Sequence, residues 1–532
     1  MSGRDGAIDR PLRAVLFDMD GVVTDTAGAH AAAWKQVFDA FLQARAAATG
    51  TAVEPFDVER DYRAHVDGKP RHAGVESFLA ARGIVLPRGE PEDGPDRETV
   101  CGLAARKNAY FRAWLEAHPV RPFPGTLHLL HELRRAGLGT GLFSASRNAP
   151  AVLASAGLSG LFDVVLDGAE LARRGLPGKP DPAMLLETAS ALGVPPGEAA
   201  VIEDAAAGVT AAAAGGFGVI VGVDRQGDGE RLRAAGATVV VGDLAELRLT
   251  PARGLAVKTL ATVPSVWDHL EAIRARLHGR RLLVCLDYDG TLTPIVADHT
   301  KALLGEDMRA AVDRLARRCP VAIVSGRDLA MLRRLVPLDR VIFAGSHGFE
   351  IAAADGSFGP IERGAEFLPV LDAAEQALRA VLAGLPGHSV ERKRFSIAVH
   401  YRQVAAADEP ALRAAVDTVL QAHGRLKRGL GKKVFELQPD LPWDKGEAVL
   451  WIAERLGFAA PDAVTVYLGD DITDEHAFRA LAGRGLGIVV RSADARPTAA
   501  DYALADTEEV RRFIDTLNAI AAPQDSGGET LR

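Results

Sequence analysis

Cysteine is scarce: three in 532 residues, Cys101, Cys285 and Cys319, odd in number and far apart. That excludes a disulfide framework and a CxxC zinc site, and it fits a reducing cytoplasm, the expected location. Aromatic residues are only 6%, and neither charge sign dominates: 62 basic against 70 acidic side chains leave a net charge of −8. A near-balanced, slightly acidic chain is not built to coat nucleic acid or an anionic membrane, so neither is expected as a partner. The opening MSGRDGAIDRPLR has no apolar h-region, so no signal peptide is read in it. Long hydrophobic runs are also missing. The stretch between Asp204 and Asp224 is uncharged, but it consists of alanine and glycine and then a short β-branched run. It reads as a helix packed closely on a sheet and then a strand, not as a membrane span.

What is present is ordinary for a globular protein: 48% apolar and 25% charged residues. The length predicts two to four domains at roughly 100–200 residues each. Short apolar, β-rich runs recur, among them AVLFD (14–18), AAVIED (199–204), LLVCLDYDG (282–290) and VTVYLGDD (464–471). Helical stretches such as TLHLLHELRRAG (126–137) and EDMRAAVDRLARRC (306–319) lie between them. Strands alternating with helices predict parallel sheets covered on both faces.

The chain repeats itself at domain scale. LFDMDGVVTD (16–25) and CLDYDGTLTP (285–294) share the pattern apolar–Asp–x–Asp–Gly–x–x–Thr. Each is followed by a strand ending in a hydroxyl, Ser144 or Ser325, then by a lysine, Lys179 or Lys445. Last comes a strand ending in acids: Glu203 and Asp204 in the first half, Asp470 and Asp474 in the second. Lys179 to Asp204 and Lys445 to Asp470 are both 25 residues. Paired aspartates at the carboxyl end of a parallel strand can both face the ligand crevice. Such residues suit phosphoryl transfer. One carboxylate attacks phosphorus, hard oxygens hold Mg2+, lysine and hydroxyl bind the phosphoryl oxygens, and the second aspartate moves the proton.

Both halves resemble the haloacid dehalogenase-like phosphatase superfamily, whose four motifs are these. The resemblance covers most of the chain and implies two α/β, Rossmann-like cores. Insert lengths place the lids. In the first half the long gap falls between Asp18 and Ser144, which gives a helical cap at about 28–118. In the second it falls between Ser325 and Lys445, which gives an α+β cap at about 350–440. The expected organisation is domain 1–247, linker 248–266, domain 267–522 and tail 523–532.

The second half resembles the trehalose-6-phosphate phosphatases, through LDYDGTLTPI (286–295), VSGRD (324–328), GSHGFE (345–350), ERK (391–393), AVHYR (398–402), GKKVFELQP (431–439), WDKG (443–446) and GDDITDE (469–475). The resemblance makes Asp287 the nucleophile and Asp289 the acid/base. Ser325 and Lys445 bind phosphate, and Arg327, His347, Lys393, Arg402 and Glu436 hold the substrate. Asp287, Asp289 (by its carbonyl) and Asp470 become metal ligands, with Asp474 in support.

The first half resembles β-phosphoglucomutases, through FDMDGVVTDTAGAHAAAWK (17–35), DGKPR (67–71), RKN (106–108), FSASRN (143–148), GKPDP (178–182) and IED (202–204). This implies Asp18 as nucleophile and Asp20 as acid/base. Ser144, Asn148 and Lys179 would face phosphate, and His30, Arg71 and Lys107 the substrate from the lid side. Asp18, Asp20 and Asp204 would hold the metal. Departures from the pattern are Ala205 where those enzymes usually carry serine, DGKPR in place of a GVSR-like loop, and an extra polar loop in the lid, LPRGEPEDGPDRET (86–99). With water as acceptor, this half would be a phosphatase. The alternative reading gives the second half another sugar phosphate and makes the first a silent docking or regulatory module. Small sugar phosphates are the expected partners in either case; oligomeric state is not legible.

Overall fold

The computed structural model of the chain describes residues 7–8, 11–50, 53–58, 60–225, 227, 229–296, 302–356, 361–431 and 433–521. The expected tail, 523–532, lies outside the described residues. The chain divides into two compact units, Met1–Val257 and Lys258–Arg532.

In the first unit a six-stranded, all-parallel sheet runs in the order Val164–Leu166, Gly139–Phe143, Ala14–Asp18, Ala199–Glu203, Val219–Val223, Val239–Val241. Alternation along its central strand sends Val15 and Phe17 into one apolar core and Ala14 and Leu16 into another. Both faces are therefore covered, which is why these strands read as unbroken apolar runs. The uncharged stretch resolves into the helix Ala206–Ala214 and the fully buried strand Val219–Val223. Among the described residues no helix is long and apolar enough to cross a membrane.

The insertion in this unit is helical: Ala27–Thr49, Arg71–Ala81 and Val100–Ala117. It has its own core of Trp34, Val37, Phe38, Phe41, Phe56, Phe78 and Leu103. Trp34 stacks on Phe38 at 5.1 Å, the i, i+4 pairing expected on one helix face.

The second unit has an eight-stranded sheet in the order Ile361–Glu362, Glu350–Ala353, Val341–Gly345, Val321–Val324, Arg281–Leu286, Ala463–Gly469, Leu486–Val490, Tyr502–Leu504. Glu350–Ala353 pairs antiparallel with both of its neighbours, and all other pairings are parallel. Glu350–Ala353 and Ile361–Glu362, placed by the sequence in the insertion, thus extend the core sheet. The separate layer follows them. It is the antiparallel sheet Ser389–Arg392, Ile397–His400, Val434–Pro439, Leu426–Gly431, with the helices Leu368–Leu382 and Glu409–Ala422 packed on it through Leu371, Leu378, Val399, Leu412 and Phe435.

The segment read as a linker is more ordered than its Pro–Gly–Thr composition suggests. Leu247–Leu249 and Leu255–Val257 pair antiparallel, and Ala7–Ile8 joins them. Further on, Lys258 donates to the carbonyls of Ala499 and Ala500, and Val266 is buried in the second unit's core. Apolar alternation in LRL and LAV is short, so a three-residue hairpin arm gives little sequence signal.

Candidate active sites

The two DxDG segments fold into the same loop. In the first, Gly21 N donates to Thr24 O at 2.9 Å; in the second, Gly290 N donates to Thr293 O at 2.7 Å. Both glycines have left-handed φ, +83° and +84°. Each also lies against a late acid: a Cβ on Gly21 would stand 1.8 Å from Asp204 Oδ2, and one on Gly290 2.3 Å from Asp470 Cγ. Glycine is therefore required twice over, for the turn and for the approach of the fourth-motif carboxylate.

The lysines reach the nucleophile positions from the other side. Lys179 Nζ lies 2.5 Å from Asp18 Oδ1 and 2.7 Å from Glu203 Oε2. Lys445 Nζ lies 2.7 Å from Asp287 Oδ1 and 2.6 Å from Asp474 Oδ1. All of these side chains are buried. The lysine's second anchor sits one residue before Asp204 in one unit and four after Asp470 in the other, so one arrangement is reached from different sequence positions. Asp444 caps the helix Lys445–Arg455 through the amides of Gly446 and Glu447, which fixes Lys445 at its first turn. Ser144 and Ser325 end their strands, and each Oγ accepts from the amide two residues on.

Burial, with Glu203 and Asp20, pushes the Asp18 carboxyl well up against the pull of Lys179. Burial, with Asp474 and Asp470, does the same to Asp287 against Lys445. Burial, with Glu203 and Asp67, raises Asp204. One lysine does not balance these acids; a bound cation would. Two acid trios have ligand atoms within 4.8 Å: Asp18, Glu203, Asp204 and Asp287, Asp470, Asp474. Asp474 is already saturated by Lys445, the Tyr467 hydroxyl and the amides of Asp470 and Asp471. It therefore positions rather than ligates. Carboxylates of Asp18 and Asp204, or of Asp287 and Asp470, are hard-oxygen donors within reach of one another, so the residues would fit Mg2+, with the carbonyl of Asp20 or Asp289 expected as a further donor.

The second aspartates of the two pairs are restrained differently. Asp289 accepts from Arg327 Nε and Nη2, both at 2.6 Å. Asp20 accepts from Thr26 Oγ1 at 2.5 Å, and its Oδ1 lies 3.3 Å from His30 Nε2. His30 Nδ1 in turn lies 2.6 Å from Lys107 Nζ. Lysine donates there, so Nδ1 accepts and Nε2 carries the proton toward Asp20. Burial lowers His30, and burial pushes Lys107 down to about 7. His30, Thr26 and Lys107 outweigh burial at Asp20 and hold it at about 2.

This makes the stability of the first unit pH-dependent. Between pH 7 and 10.5 the folded unit binds fewer protons at Lys107 than the unfolded chain, so stability rises with pH across that window. Lys107→Met should be more stable than wild type near pH 7, with the advantage shrinking toward pH 10. Urea titrations at several pH values check this.

In the first unit a cavity is lined by Asp18, Asp20, His30, Lys107, Ser144, Asn148, Lys179 and Asp204, with Arg71 on its cap side. Sequence reading missed Tyr62, Asp67, Lys69, Asn108 and Arg147, which also line it. Arg147 stood inside FSASRN and Asp67 inside DGKPR, so those motifs carried the signal. Two of the departures meet: a Cβ on Gly68 would lie 3.1 Å from Ala205 Cβ. Arg71 is pushed down to about 10 by burial and by the charge of Arg147, and both residues line the cavity.

In the second unit His347 Nε2 lies 3.0 Å from Glu436 Oε2, and Lys393 Nζ donates to Glu436 Oε1 at 3.1 Å, beside Ser396 Oγ at 2.7 Å. Burial opposes the charge on Glu436, but Lys393 and His347 hold its carboxyl well below the usual range. Arg402 does not join this group: it is exposed in the turn after Ile397–His400 and makes no hydrogen bond or ion pair among the described residues. The AVHYR alternation ends at His400, so Arg402 leaves the sheet. Glu391, the first residue of ERK, pairs with His400 at 2.9 Å.

Two Rossmann-like cores, each with an aspartate pair, a hydroxyl, a lysine and late acids at the carboxyl ends of parallel strands, define a haloacid dehalogenase-like hydrolase. Residues 12–216 match the haloacid dehalogenase-like hydrolase family, and residues 285–508 match the trehalose-phosphatase family. A Mycobacterium tuberculosis trehalose-phosphate phosphatase is 38% identical over 397 residues, 74% of this chain and 90% of that one. The chain belongs to the trehalose-phosphatase family. An uncharacterized glycosyl hydrolase of Mycobacterium tuberculosis is 40% identical over 523 residues, 97% of this chain; the chain spans 39% of that relative's length. A β-phosphoglucomutase structure from Clostridium difficile is 28% identical, covering 44% of this chain and 92% of that one, with a TM-score of 0.35.

Proposed function

We propose that the second unit hydrolyses trehalose 6-phosphate to trehalose and phosphate with Mg2+, and that the first unit is a sugar-phosphate mutase or phosphatase working through Asp18. The observation that carries the first statement is one unit holding both the Asp287–Lys445 cluster and the buried Glu436 with His347 and Lys393. A carboxylate flanked by cationic donors suits sugar hydroxyls beside a phosphate.

The reaction follows from the residues. Asp287 attacks phosphorus while the bond to the sugar oxygen breaks, and Asp289 gives that oxygen its proton. Water then attacks phosphorus and loses a proton to Asp289, and the bond to Asp287 breaks. Lys445 and Ser325 hold the phosphoryl oxygens through both steps. Mg2+, when bound, supplies positive charge against the phosphoryl oxygens and the acid cluster. Arg327 must leave Asp289 before that carboxyl can take a proton.

For the first unit, two arginines lining the cavity, Arg71 and Arg147, support a substrate with a second anionic group, which favours a mutase. Isomerisation of β-glucose 1-phosphate with a bisphosphate activator tests this; phosphate release without isomerisation would make the unit a phosphatase.

Chelation gives a further expected result. EDTA should abolish phosphate release from trehalose 6-phosphate, and excess Mg2+ should restore it. Mg2+ should also raise the melting temperature of the resting protein, because it relieves buried carboxylate repulsion. Full activity in EDTA would contradict the proposed metal requirement.

A further inference from the structure

Ser346, His347 and Gly348 form three consecutive left-handed residues, with φ of 50°, 57° and 93°. Only the last is glycine, so the turn persists because its surroundings impose it. Those surroundings are the phosphate loop: Ser346 N donates to Arg327 O at 2.7 Å, and His347 N to Ser325 O at 2.9 Å. The fit is tight, since a Cβ on Gly326 would stand 2.7 Å from His347 Cε1. The turn thus sets two things at once: the imidazole that meets Glu436, and the loop carrying Ser325 and Arg327.

One buried side chain closes this arrangement. Glu350 Oε2 accepts from Ser346 Oγ at 2.8 Å and from Leu329 N, just beyond the phosphate loop, at 3.3 Å. Its other oxygen lies 3.6 Å from Arg394 Nε, whose guanidinium is anchored beside it by Glu362, with Nη2 donating to both Glu362 oxygens at 2.8 and 2.9 Å. Arg394 belongs to the tight turn 393–396, where Lys393 N donates to Ser396 O at 2.9 Å. That turn sends Lys393 and Ser396 to Glu436, and Phe395 onto Phe349 at 5.8 Å.

We propose that Glu350 is a positioning residue that couples docking of the α+β layer, through Arg394, to the Ser346–His347 turn and so to the phosphate-binding loop. This rests on the reading of the second unit as a trehalose-6-phosphate phosphatase. Glutamine at 350 keeps an acceptor for Ser346 and Leu329 but loses the attraction to Arg394. Binding should therefore suffer more than turnover.

The test is a double-mutant cycle in the full chain with Glu350→Gln, Arg394→Gln and both. Each single variant should raise KM for trehalose 6-phosphate about ten-fold with kcat within about two-fold, and the double variant should be no worse than the worse single one. Arg394→Lys should recover part of the loss. Independent multiplication of the two effects, or a fall in kcat with KM unchanged, would overturn the coupling. Hydrogen exchange supplies an arm that needs no substrate. Glu350→Ala should speed exchange at the amides of Ser346 and His347, and unchanged protection would overturn the role of Glu350. If wild type leaves trehalose 6-phosphate intact, the functional reading fails and the exchange arm still decides the structural one.

Discussion

Asp287→Asn is expected to lower kcat for trehalose 6-phosphate by about four orders of magnitude or more, while Asp18→Asn leaves that activity unchanged. The carboxamide is neutral and a poor nucleophile, so the bond to phosphorus cannot form at a useful rate. Four decades correspond to about 5.4 kcal/mol of lost transition-state stabilisation, the scale seen when the nucleophile of a concerted group is removed. Asn also removes a carboxyl whose charge burial, Asp474 and Asp470 disfavour, so the variant should fold with its cluster less strained. Steady-state phosphate release with both variants checks this. Equal loss in Asp18→Asn would place the activity in the wrong unit.

Lys445→Met is expected to cost both activity and stability. It removes the cation that contacts both Asp287 and Asp474, leaving buried carboxylates uncompensated. Breaking such a pair by removing one partner typically costs about 3–5 kcal/mol. The pH dependence has a definite sign. Against burial, Lys445 and Tyr467 hold Asp474 below its ordinary value in the wild type. Its stabilising contribution is therefore present above the ordinary carboxylate range and is lost as pH falls through the depressed value. Without Lys445 the carboxyl rises, so the variant's deficit should be largest near neutral pH and shrink as pH falls through the carboxylate range. Mg2+ should recover part of the deficit. Urea titrations from pH 4 to 8, with and without Mg2+, read both effects; a deficit independent of pH and metal would contradict the account.

The sequence makes the cores legible for a local reason. The DxDGxxT turn needs its glycine, threonine and flanking apolar strand within a few residues, and it folds alike at Gly21 and Gly290. Order and spacing then carry Ser144, Lys179 and Asp204, and their counterparts, to the same strand ends. What is not legible depends on tertiary placement. Asp474 reads only as a support to Asp470, and its partners are not legible: four hydrogen bonds, from Lys445, Tyr467 and two amides, occupy it. Tyr467 sits in an apolar strand and gives no sign of that role. Tyr62 and Asp67 reach the first cavity only because the helical insertion folds over it. Glu350 reads as the end of GSHGFE, yet besides Ser346 of that motif its partners Leu329 and Arg394 come from two other segments. Arg402 shows the opposite failure: AVHYR continues the period of its strand in sequence, whereas the strand stops at His400.

Trapping of the covalent intermediate tests the central claim most directly. Wild-type protein turning over trehalose 6-phosphate with Mg2+ is quenched in acid, treated with hydroxylamine and digested. The account predicts a hydroxamate on Asp287, absent from Asp287→Asn and absent when substrate is omitted. Phosphate release at an undiminished rate with Asp287 unmodified at every quench time, or with the label on another residue, would contradict it.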